Sequence, residues 1–407
     1  MHLPALALAA ALLAAPAAHA TAPADAPISV LFVGNSYTFG RIDPVMSYNT
    51  ANVRDLTLDM WLANPDASGN RPYEPHPWGG VAGIFQRFTV QAGLNYDVAL
   101  SSRNAASLRG HLLNTNGAGW DLRSNIGSQA WDQVVLQEQS DEALMRRPGL
   151  GSNPEYTQLY VDLTEDWVHQ GDALSYRERD FIGGTQEACI ATGYSSGACS
   201  TVRNLPANAS AATEMFLYQT WARPNLVDGA FVTNTDPVTG AVTRTDTPAA
   251  TFFGSLDEMT AELATAYQAA ADGAAADGTG GFTGISPVGQ SFLRAVTEGV
   301  ATRDMWAPGA GSDGLIDLWF DDGTHASKEG SYLSALTLFG TLTGLDPAMF
   351  GASELAAAEL GIFADDALAL QRIASLQLGF TPAIPEPGTA LLALLGLAVV
   401  ARRARKV

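Results

Sequence analysis

Ser36 is the residue whose setting most clearly indicates chemistry. It lies in the segment Val-Leu-Phe-Val-Gly-Asn-Ser, where four apolar residues lead into a Gly-Asn pair. An apolar run of this length that ends in Gly and Asn predicts a buried strand followed by a tight turn. In a parallel sheet such a turn places the serine at the carboxyl edge, where α/β proteins hold their ligands. The serine is therefore a candidate nucleophile, provided that the fold brings a base to it.

A base for Ser36 has to come from a histidine elsewhere in the chain, and His76, His111, His169 and His325 are the candidates. His325 stands out because it follows the sequence Asp-Asp-Gly-Thr and directly precedes a predicted helix. The Asp-x-x-His spacing lets Asp322 fix the imidazole tautomer while the other ring nitrogen faces the serine. Helix capping or a local loop hydrogen bond is the alternative explanation of the same spacing.

These two blocks together resemble the first and last blocks of the SGNH (GDSL-like) hydrolase family. The segments 34–38, 131–140, 287–289 and 325–333 also resemble one branch of that superfamily, and the resemblance spans roughly residues 28–347. It implies a three-layer α/β/α sandwich with a mostly parallel, flavodoxin-like sheet. It further implies ester hydrolysis by Ser36, His325 and Asp322 through an acyl-enzyme, without a metal or an organic cofactor.

The resemblance also implies oxyanion donors in two middle blocks, and there this sequence departs from the family. The second block has Asn104-Ala105 where the family has a glycine, although a main-chain N–H of Ala105 or Ala106 can serve equally. The third block has Gln137 and Gln139 where the family has an asparagine, and a glutamine amide carries the same donor on a longer stem. Gln137 is the preferred candidate because it directly follows the strand. A solvated strand end is the alternative.

The order of elements predicts an α/β fold with one domain over residues 28–378, including insertions near 46–80 and 180–210. A hairpin is expected at 237–248. Strands are predicted at 28–33, 96–100, 133–136, 216–221 and 282–288, and helices at 44–62, 81–93, 105–113, 156–168, 256–271, 290–299, 327–342 and 355–376.

The two ends of the chain resemble export signals. Residues 1–20 are an apolar, Ala/Leu-rich run that ends in Ala-His-Ala, which resembles a secretory signal peptide. Residues 384–407 contain Ile-Pro-Glu-Pro, a short apolar run at 389–400 and an Arg-rich end, which together resemble a PEP-CTERM sorting signal. That resemblance implies transient insertion of a tail helix into the inner membrane and processing by an exosortase-type enzyme. The destination would be the cell surface or extracellular matrix of a Gram-negative bacterium.

The charge and the cysteine content of the chain indicate which binding partners and which cross-links to expect. The formal net charge is −20 and the pI is about 4.5, which argues against nucleic acid and anionic membrane surfaces as partners. The only two cysteines, Cys189 and Cys199, are close in sequence, and in an exported protein they predict a local disulfide. Asp313, Asp317 and Asp321 do not match a calcium loop, so no metal is expected.

The sequence therefore predicts an exported serine esterase that acts on small esters or acylated polysaccharides. A catalytically silent matrix or carbohydrate-binding protein on the same fold is the alternative, and a lipid or thioester substrate is a third possibility. Four aromatic residues near the predicted loops are candidates for a sugar-stacking platform, namely Tyr37, Trp78, Trp306 and Trp319.

Overall fold

The structure is a computed structural model that describes residues 26–64, 74–114, 120–208, 213–229, 231–235, 242–248 and 250–380. The predicted signal peptide (1–20) and sorting tail (384–407) lie outside these residues. Within the described ranges, no helix combines the length and the apolarity that crossing a membrane requires. The membrane helix predicted at 389–400 also lies outside them.

A six-stranded parallel sheet forms the centre of the molecule, and it confirms the predicted fold class. Its strands are β1 (Ile28–Gly34), β2 (Arg54–Asp55), β3 (Tyr96–Ser102), β4 (Gln133–Leu136), β7 (Glu214–Tyr218) and β10 (Gly284–Ser286), in the order β10-β7-β4-β1-β3-β2. The four apolar residues 30–33 of β1 are fully buried, as predicted for a central parallel strand. The chain order reverses at β1, so the residues after β1 and β4 meet at a switch point of the sheet.

Helices pack on the sheet in two groups. One group contains α3 (Gly80–Gln91), α12 (Lys328–Thr343), α13 (Leu355–Leu360) and α14 (Ala364–Gln377), and the other contains α4 (Leu108–Leu113), α6 (Pro154–Gln170) and α10 (Leu256–Ala276). The helices of the chain are α1 (Ser36–Phe39), α2 (Leu58–Ala63), α3 (Gly80–Gln91), α4 (Leu108–Leu113), α5 (Leu122–Ile126), α6 (Pro154–Gln170), α7 (Glu178–Phe181), α8 (Gln186–Ala191), α9 (Ser196–Ser200), α10 (Leu256–Ala276), α11 (Val288–Thr297), α12 (Lys328–Thr343), α13 (Leu355–Leu360) and α14 (Ala364–Gln377).

The predicted insertion at 180–210 folds as a small helical unit with its own strands. Strands β5 (Leu174–Arg177) and β6 (Val202–Leu205) pair antiparallel on either side of α7, α8 and α9. A disulfide joins Cys189 of α8 to Cys199 of α9, and both cysteines are fully buried. The disulfide ties two helices that are too short to be stable alone.

A second antiparallel pair lies near the predicted hairpin. Its strands are β8 (Phe231–Thr235) and β9 (Val242–Pro248), so the first strand begins before the predicted range of 237–248.

Several predicted element boundaries were wrong, for local reasons. The helix predicted at 44–62 is replaced by turns, a 3₁₀ turn, β2 and the short helix α2. Asn49 adopts a left-handed conformation there, which a continuous α-helix does not accept. The helix predicted at 355–376 is divided into α13 and α14 by Gly361, which is also left-handed. The helix predicted at 105–113 begins only at Leu108, and the strand predicted at 282–288 covers three residues.

Candidate active site

Asn35 organises the turn that carries Ser36. Its Oδ1 accepts the N–H of Tyr37 at 3.1 Å, which caps α1 at the point where Ser36 begins it. Its Nδ2 donates to the carbonyl oxygen of Ala106 at 3.0 Å, and so connects the serine turn to the loop after β3. Both Asn35 and Ser36 are buried. The turn is therefore held in a single geometry from two sides.

The close approach of Gly34 to its neighbours explains the glycine at the end of β1. A Cβ at this position would lie 2.2 Å from Thr38 Oγ1 and 2.5 Å from Gln137 Oε1. Those two atoms are themselves hydrogen-bonded at 2.9 Å. A side chain at position 34 would therefore separate the serine turn from β4.

Ser36, His325 and Asp322 lie in one hydrogen-bonded line. His325 Nε2 is 3.0 Å from Ser36 Oγ, and His325 Nδ1 is 2.6 Å from Asp322 Oδ2. Asp322 Oδ1 also accepts the main-chain N–H groups of Thr324 and His325, at 2.8 and 2.9 Å. Asp322 therefore has both of the roles that the Asp-x-x-His spacing allows. One carboxylate oxygen orients the imidazole ring, and the other accepts hydrogen bonds from the main chain of the loop. This arrangement can deprotonate a serine hydroxyl and stabilise the resulting imidazolium.

The charge state of Asp322 suits this geometry. Burial alone would raise the pKa of its carboxyl group, but the hydrogen bonds from His325 and Thr324 outweigh burial and hold the pKa below its usual range. The carboxylate is therefore ionised at neutral pH, and the histidine Nδ1 is the donor in their hydrogen bond.

A stack of three aromatic rings contacts both the serine turn and the histidine loop. Tyr37 stacks on Trp221 with centroids 4.0 Å apart, and Trp221 stacks on Phe292 at 4.9 Å. Trp221 Nε1 donates to the carbonyl oxygen of Thr324 at 3.0 Å, next to His325. The stack therefore couples the position of the base to that of the nucleophile.

Three of the four aromatic residues that were candidates for sugar stacking are core residues instead. Tyr37, Trp78 and Trp319 are 4%, 0% and 3% exposed, because each packs in the core. Trp78 stacks on Phe39 at 3.9 Å. Of the four aromatic residues, Trp306 alone is half-buried rather than buried, so these rings do not present a flat surface to solvent.

A cavity of about 260 Å³ opens onto Ser36 and His325. Sequence reasoning did not identify Arg41 or Arg223 as parts of this site, although Arg223 follows β7, whose end lies at the carboxyl edge of the sheet. A location just after a strand of the parallel sheet was the sequence feature that could have identified a site residue there. The cavity is lined by Asn35, Ser36, Tyr37, Arg41, Asn104, Ala105, Gln139, Ser140, Arg223, Thr324 and His325.

The two glutamines after β4 differ from each other in their surroundings, and only Gln139 reaches the cavity. Gln137 is fully buried, and its Oε1 accepts from the Asn35 N–H and the Thr38 hydroxyl, both at 2.9 Å. Its Nε2 donates to the main-chain oxygen of Glu138. Gln137 therefore braces the serine turn, in contrast to the preference for it as the oxyanion donor. Gln139 lines the cavity, and its Oε1 accepts the N–H of Asp141 at 3.1 Å, which leaves its Nε2 as a donor.

Asn104 and Ala105 line the cavity in the turn between β3 and α4. Ala105 has a left-handed φ of 55°, an uncommon conformation for a residue with a Cβ. Within the described part of the chain, the N–H groups of Ser36 and Ala105 donate no hydrogen bond to another residue. Two main-chain donors thus remain beside the serine.

Glu138 joins the two loops that stand opposite the serine. It is 2% exposed, and its Oε1 accepts the N–H of Leu108 at 3.0 Å and that of Gln139 at 2.7 Å. Burial, and next the negative charge of Glu142, raise the pKa of Glu138 well above its usual range. The buried carboxyl group is therefore poised to be neutral, and its function in the structure is to accept two main-chain hydrogen bonds.

Replacing Glu138 should show whether the site needs the two main-chain hydrogen bonds that Glu138 accepts or the ionisable carboxyl group itself. Glu138→Gln keeps the Oε1 acceptor, and we expect kcat for any reaction at Ser36 to stay within about threefold. Glu138→Leu leaves two buried N–H groups unpaired, which costs about 1–3 kcal/mol each, and it frees the Ala105 turn. We expect kcat to fall about 10- to 100-fold with little change in KM.

The matched control is Glu354→Leu. Glu354 is also buried and accepts the N–H groups of Ala356 and Ala357, but it caps α13 outside the cavity. Glu354→Leu should lower the melting temperature of the protein without changing kcat. An equal fall in kcat for both Leu variants would contradict the role given to Glu138.

His111 supports the end of β1 and provides a pH-dependent prediction. Its ring is fully buried, and Nε2 is 2.9 Å from the carbonyl oxygen of Gly34. Burial lowers the pKa of His111 to about 4, so the neutral ring donates through Nε2 at pH 7. Histidine in an unfolded chain titrates near pH 6.5. The contribution of the neutral His111 ring to the free energy of unfolding is therefore fully present above that pH and is lost as the pH falls towards 4.

We expect the free energy of unfolding to fall by roughly 2–3 kcal/mol between pH 7 and pH 4.5 on account of His111. His111→Gln keeps an amide donor but does not titrate, so its pH dependence should be shallower by that amount. Urea unfolding at the two pH values measures both slopes. Equal slopes for the two proteins would contradict this role of His111.

One acidic cluster could hold a cation among the residues that the structure describes. The carboxylates of Asp162, Asp166 and Asp277 lie within 4.8 Å of one another. They are half-buried to exposed and belong to α6 and the end of α10, away from the residues that line the Ser36 cavity. Asp313, Asp317 and Asp321, whose spacing does not match a calcium loop, are not among the grouped carboxylates of the described residues.

Comparison with known protein families agrees with the C-terminal prediction. Residues 383–406 match the PEP-CTERM protein-sorting motif, which confirms that prediction. The sequence matches none of the curated protein sequences.

Three solved structures are similar to this chain at low sequence identity. A candidate SGNH hydrolase from Slackia heliotrinireducens is 18% identical over 78% of this chain and 100% of its own, with a TM-score of 0.34. A DUF4886 family protein from Bacteroides uniformis is 13% identical over 88% and 98%, with a TM-score of 0.37. A candidate GDSL-like lipase from Parabacteroides merdae is 13% identical over 78% and 95%, with a TM-score of 0.30.

Proposed function

We propose that this protein is an exported serine esterase whose catalytic unit comprises residues 28–378. The observation that carries the proposal is the line of Ser36, His325 and Asp322, with distances of 3.0 and 2.6 Å, at the wall of a cavity. A hydroxyl, an imidazole and an ionised carboxylate in this order form the arrangement that activates serine for acyl transfer.

The proposed reaction has two steps. In the first, His325 Nε2 takes the proton of Ser36 as Oγ attacks the ester carbonyl, and it then gives the proton to the leaving alcohol. In the second, His325 takes a proton from water, which attacks the acyl-enzyme, and returns that proton to Ser36 as the acid departs. Asp322 keeps the proton of Nδ1 on the ring and stabilises the imidazolium in both steps.

The negative oxygen of the tetrahedral intermediate needs donors, and three groups are suitably placed. We assign this role to the main-chain N–H groups of Ser36 and Ala105 and to Nε2 of Gln139. Asn104 lines the same wall and contributes its backbone to the turn. A main-chain donor does not depend on the identity of the side chain, so alanine can serve where the related proteins have glycine.

The PEP-CTERM match supports export and processing of the tail by an exosortase. We propose delivery to the cell surface or extracellular matrix, where acylated polysaccharides are suitable substrates. The cavity of about 260 Å³ favours a short acyl group over a long lipid chain.

A chain-length series of p-nitrophenyl esters, with a thioester for comparison, tests this proposal. We expect the highest kcat/KM for acyl groups of about two to four carbons, because the cavity is small. Failure to hydrolyse any of these compounds, together with measurable binding to a glycan, would favour the catalytically silent alternative instead.

A further inference from the structure

The charge of the Ser36 cavity is opposite to that of the protein as a whole. The chain contains 42 acidic residues and 22 lysines and arginines. Of the described residues that line the cavity, two are arginines, Arg41 and Arg223, and none is a carboxylate. A concave site that carries the minority charge of its protein concentrates ligands of the opposite sign.

Arg223 donates three hydrogen bonds to neutral side chains and has one more distant carboxylate partner. Its Nε donates to Asn225 Oδ1 at 3.3 Å, its Nη1 to Ser140 Oγ at 3.0 Å, and its Nη2 to Thr324 Oγ1 at 3.5 Å. The side chain is 13% exposed, and the carboxylate paired with it is Asp141, 3.7 Å from Nη1. These bonds fix the plane of the guanidinium but do not replace the strong, short ion pair that a half-buried charge favours.

The partners of Arg223 also place it beside the reacting atoms. Thr324 directly precedes His325, and Ser140 directly follows Gln139. Arg223 therefore bridges the loop of the base and the loop of the proposed oxyanion donor. Arg41 stands on the wall next to α1, where its guanidinium pairs with the buried carboxylate of Glu74. Because Ser36 and Arg223 line the same cavity, an acidic group close to the ester of a bound ligand would meet Arg223.

We propose that the substrate carries a carboxylate near the ester bond and that Arg223 binds it. The inference rests on the proposed esterase function and specifies its substrate class. A planar guanidinium matches a carboxylate through two parallel hydrogen bonds, and five N–H groups leave donors beyond the three in use. The carboxylate can belong to the alcohol, as in an O-acylated uronic acid, or to the acyl group, as in a half-ester of a dicarboxylic acid.

Two pairs of matched esters distinguish these sources. Methyl glucuronoside monoacetate is compared with methyl glucoside monoacetate, and monoethyl succinate with ethyl pentanoate. We expect the full-length protein to show a kcat/KM about 10- to 100-fold higher for the acidic member of at least one pair, the range of a charge-assisted hydrogen bond. Hydrolysis of the neutral esters without a preference would overturn this inference and leave the proposed function intact. Hydrolysis of none of the four would overturn both.

Variants then test the assignment to Arg223. Arg223→Gln should reduce the preference for the acidic ester at least tenfold, and Arg223→Lys should restore part of it. The control is Arg147→Gln, which removes an arginine that pairs with Glu262 outside the cavity and should keep the preference. A preference that survives in Arg223→Gln would overturn the assignment.

The salt dependence of the wild-type enzyme provides a test that needs no variant. The preference should shrink as salt rises from about 0.05 to 0.5 M, because ions screen a partly exposed charge pair. A preference that is independent of salt would also overturn the inference.

Discussion

Ser36→Ala is expected to lower kcat for p-nitrophenyl acetate by about 10³-fold or more, to near the rate of the oxyanion site and binding alone. The reason is geometric, since Ser36 Oγ is the single hydroxyl 3.0 Å from His325 Nε2 among the described residues. Alanine fits the turn, because Asn35 and Gln137 hold the turn through groups other than the Ser36 hydroxyl. The fold should therefore be unaffected.

Steady-state kinetics at pH 8, with the melting temperature of each protein, checks this prediction. Ser375→Ala is a suitable control, because Ser375 is also buried but lies on α14, outside the cavity. It should keep its kcat. Turnover by Ser36→Ala within tenfold of the wild type would contradict the role of Ser36.

Asp322→Asn should have the second largest effect, a decrease in kcat of about 10²- to 10⁴-fold. The asparagine carbonyl can still accept the N–H groups of Thr324 and His325, so the loop is retained. Its amide can only donate to His325 Nδ1, which moves the ring proton to Nε2 and prevents that nitrogen from accepting the serine proton. The negative charge that stabilises the imidazolium is lost as well.

Two further variants separate this effect from one on folding. Asp322→Ala removes the loop hydrogen bonds too, so its melting temperature should fall below that of Asp322→Asn. Asp346→Asn changes a carboxylate that caps a turn through Ala348 outside the cavity, and it should leave kcat unchanged. A kcat for Asp322→Asn within threefold of the wild type would show that the carboxylate does not orient the base.

The parts of the site that could be predicted are local structures whose conformation depends mainly on residues nearby in the sequence. The run 30–33 is buried because it is apolar throughout, and the Gly-Asn pair after it suits a turn in any context. Asp322 and His325 meet because they are three positions apart in one loop. These features follow from residue type and spacing, which is why they could be predicted.

The features that were missed depend on contacts between distant segments. Gln137 accepts hydrogen bonds from Asn35 and Thr38, about one hundred positions earlier in the chain. The sequence does not show that these bonds hold its side chain away from the cavity. The segment 44–62 has helical composition, but the left-handed Asn49 and the pairing of β2 with β3 override it. Arg223 faces the cavity because Ser140 and Thr324 hold it there.

The central claim is that Ser36 is an activated nucleophile, and covalent labelling tests it most directly. The full-length protein is treated with a fluorophosphonate, and the adduct is located by mass spectrometry of its peptides. The arrangement of Ser36, His325 and Asp322 predicts one adduct, on Ser36, that is absent from Ser36→Ala and forms slowly in Asp322→Asn. An unlabelled wild-type protein, or an adduct that persists in Ser36→Ala, would contradict the claim.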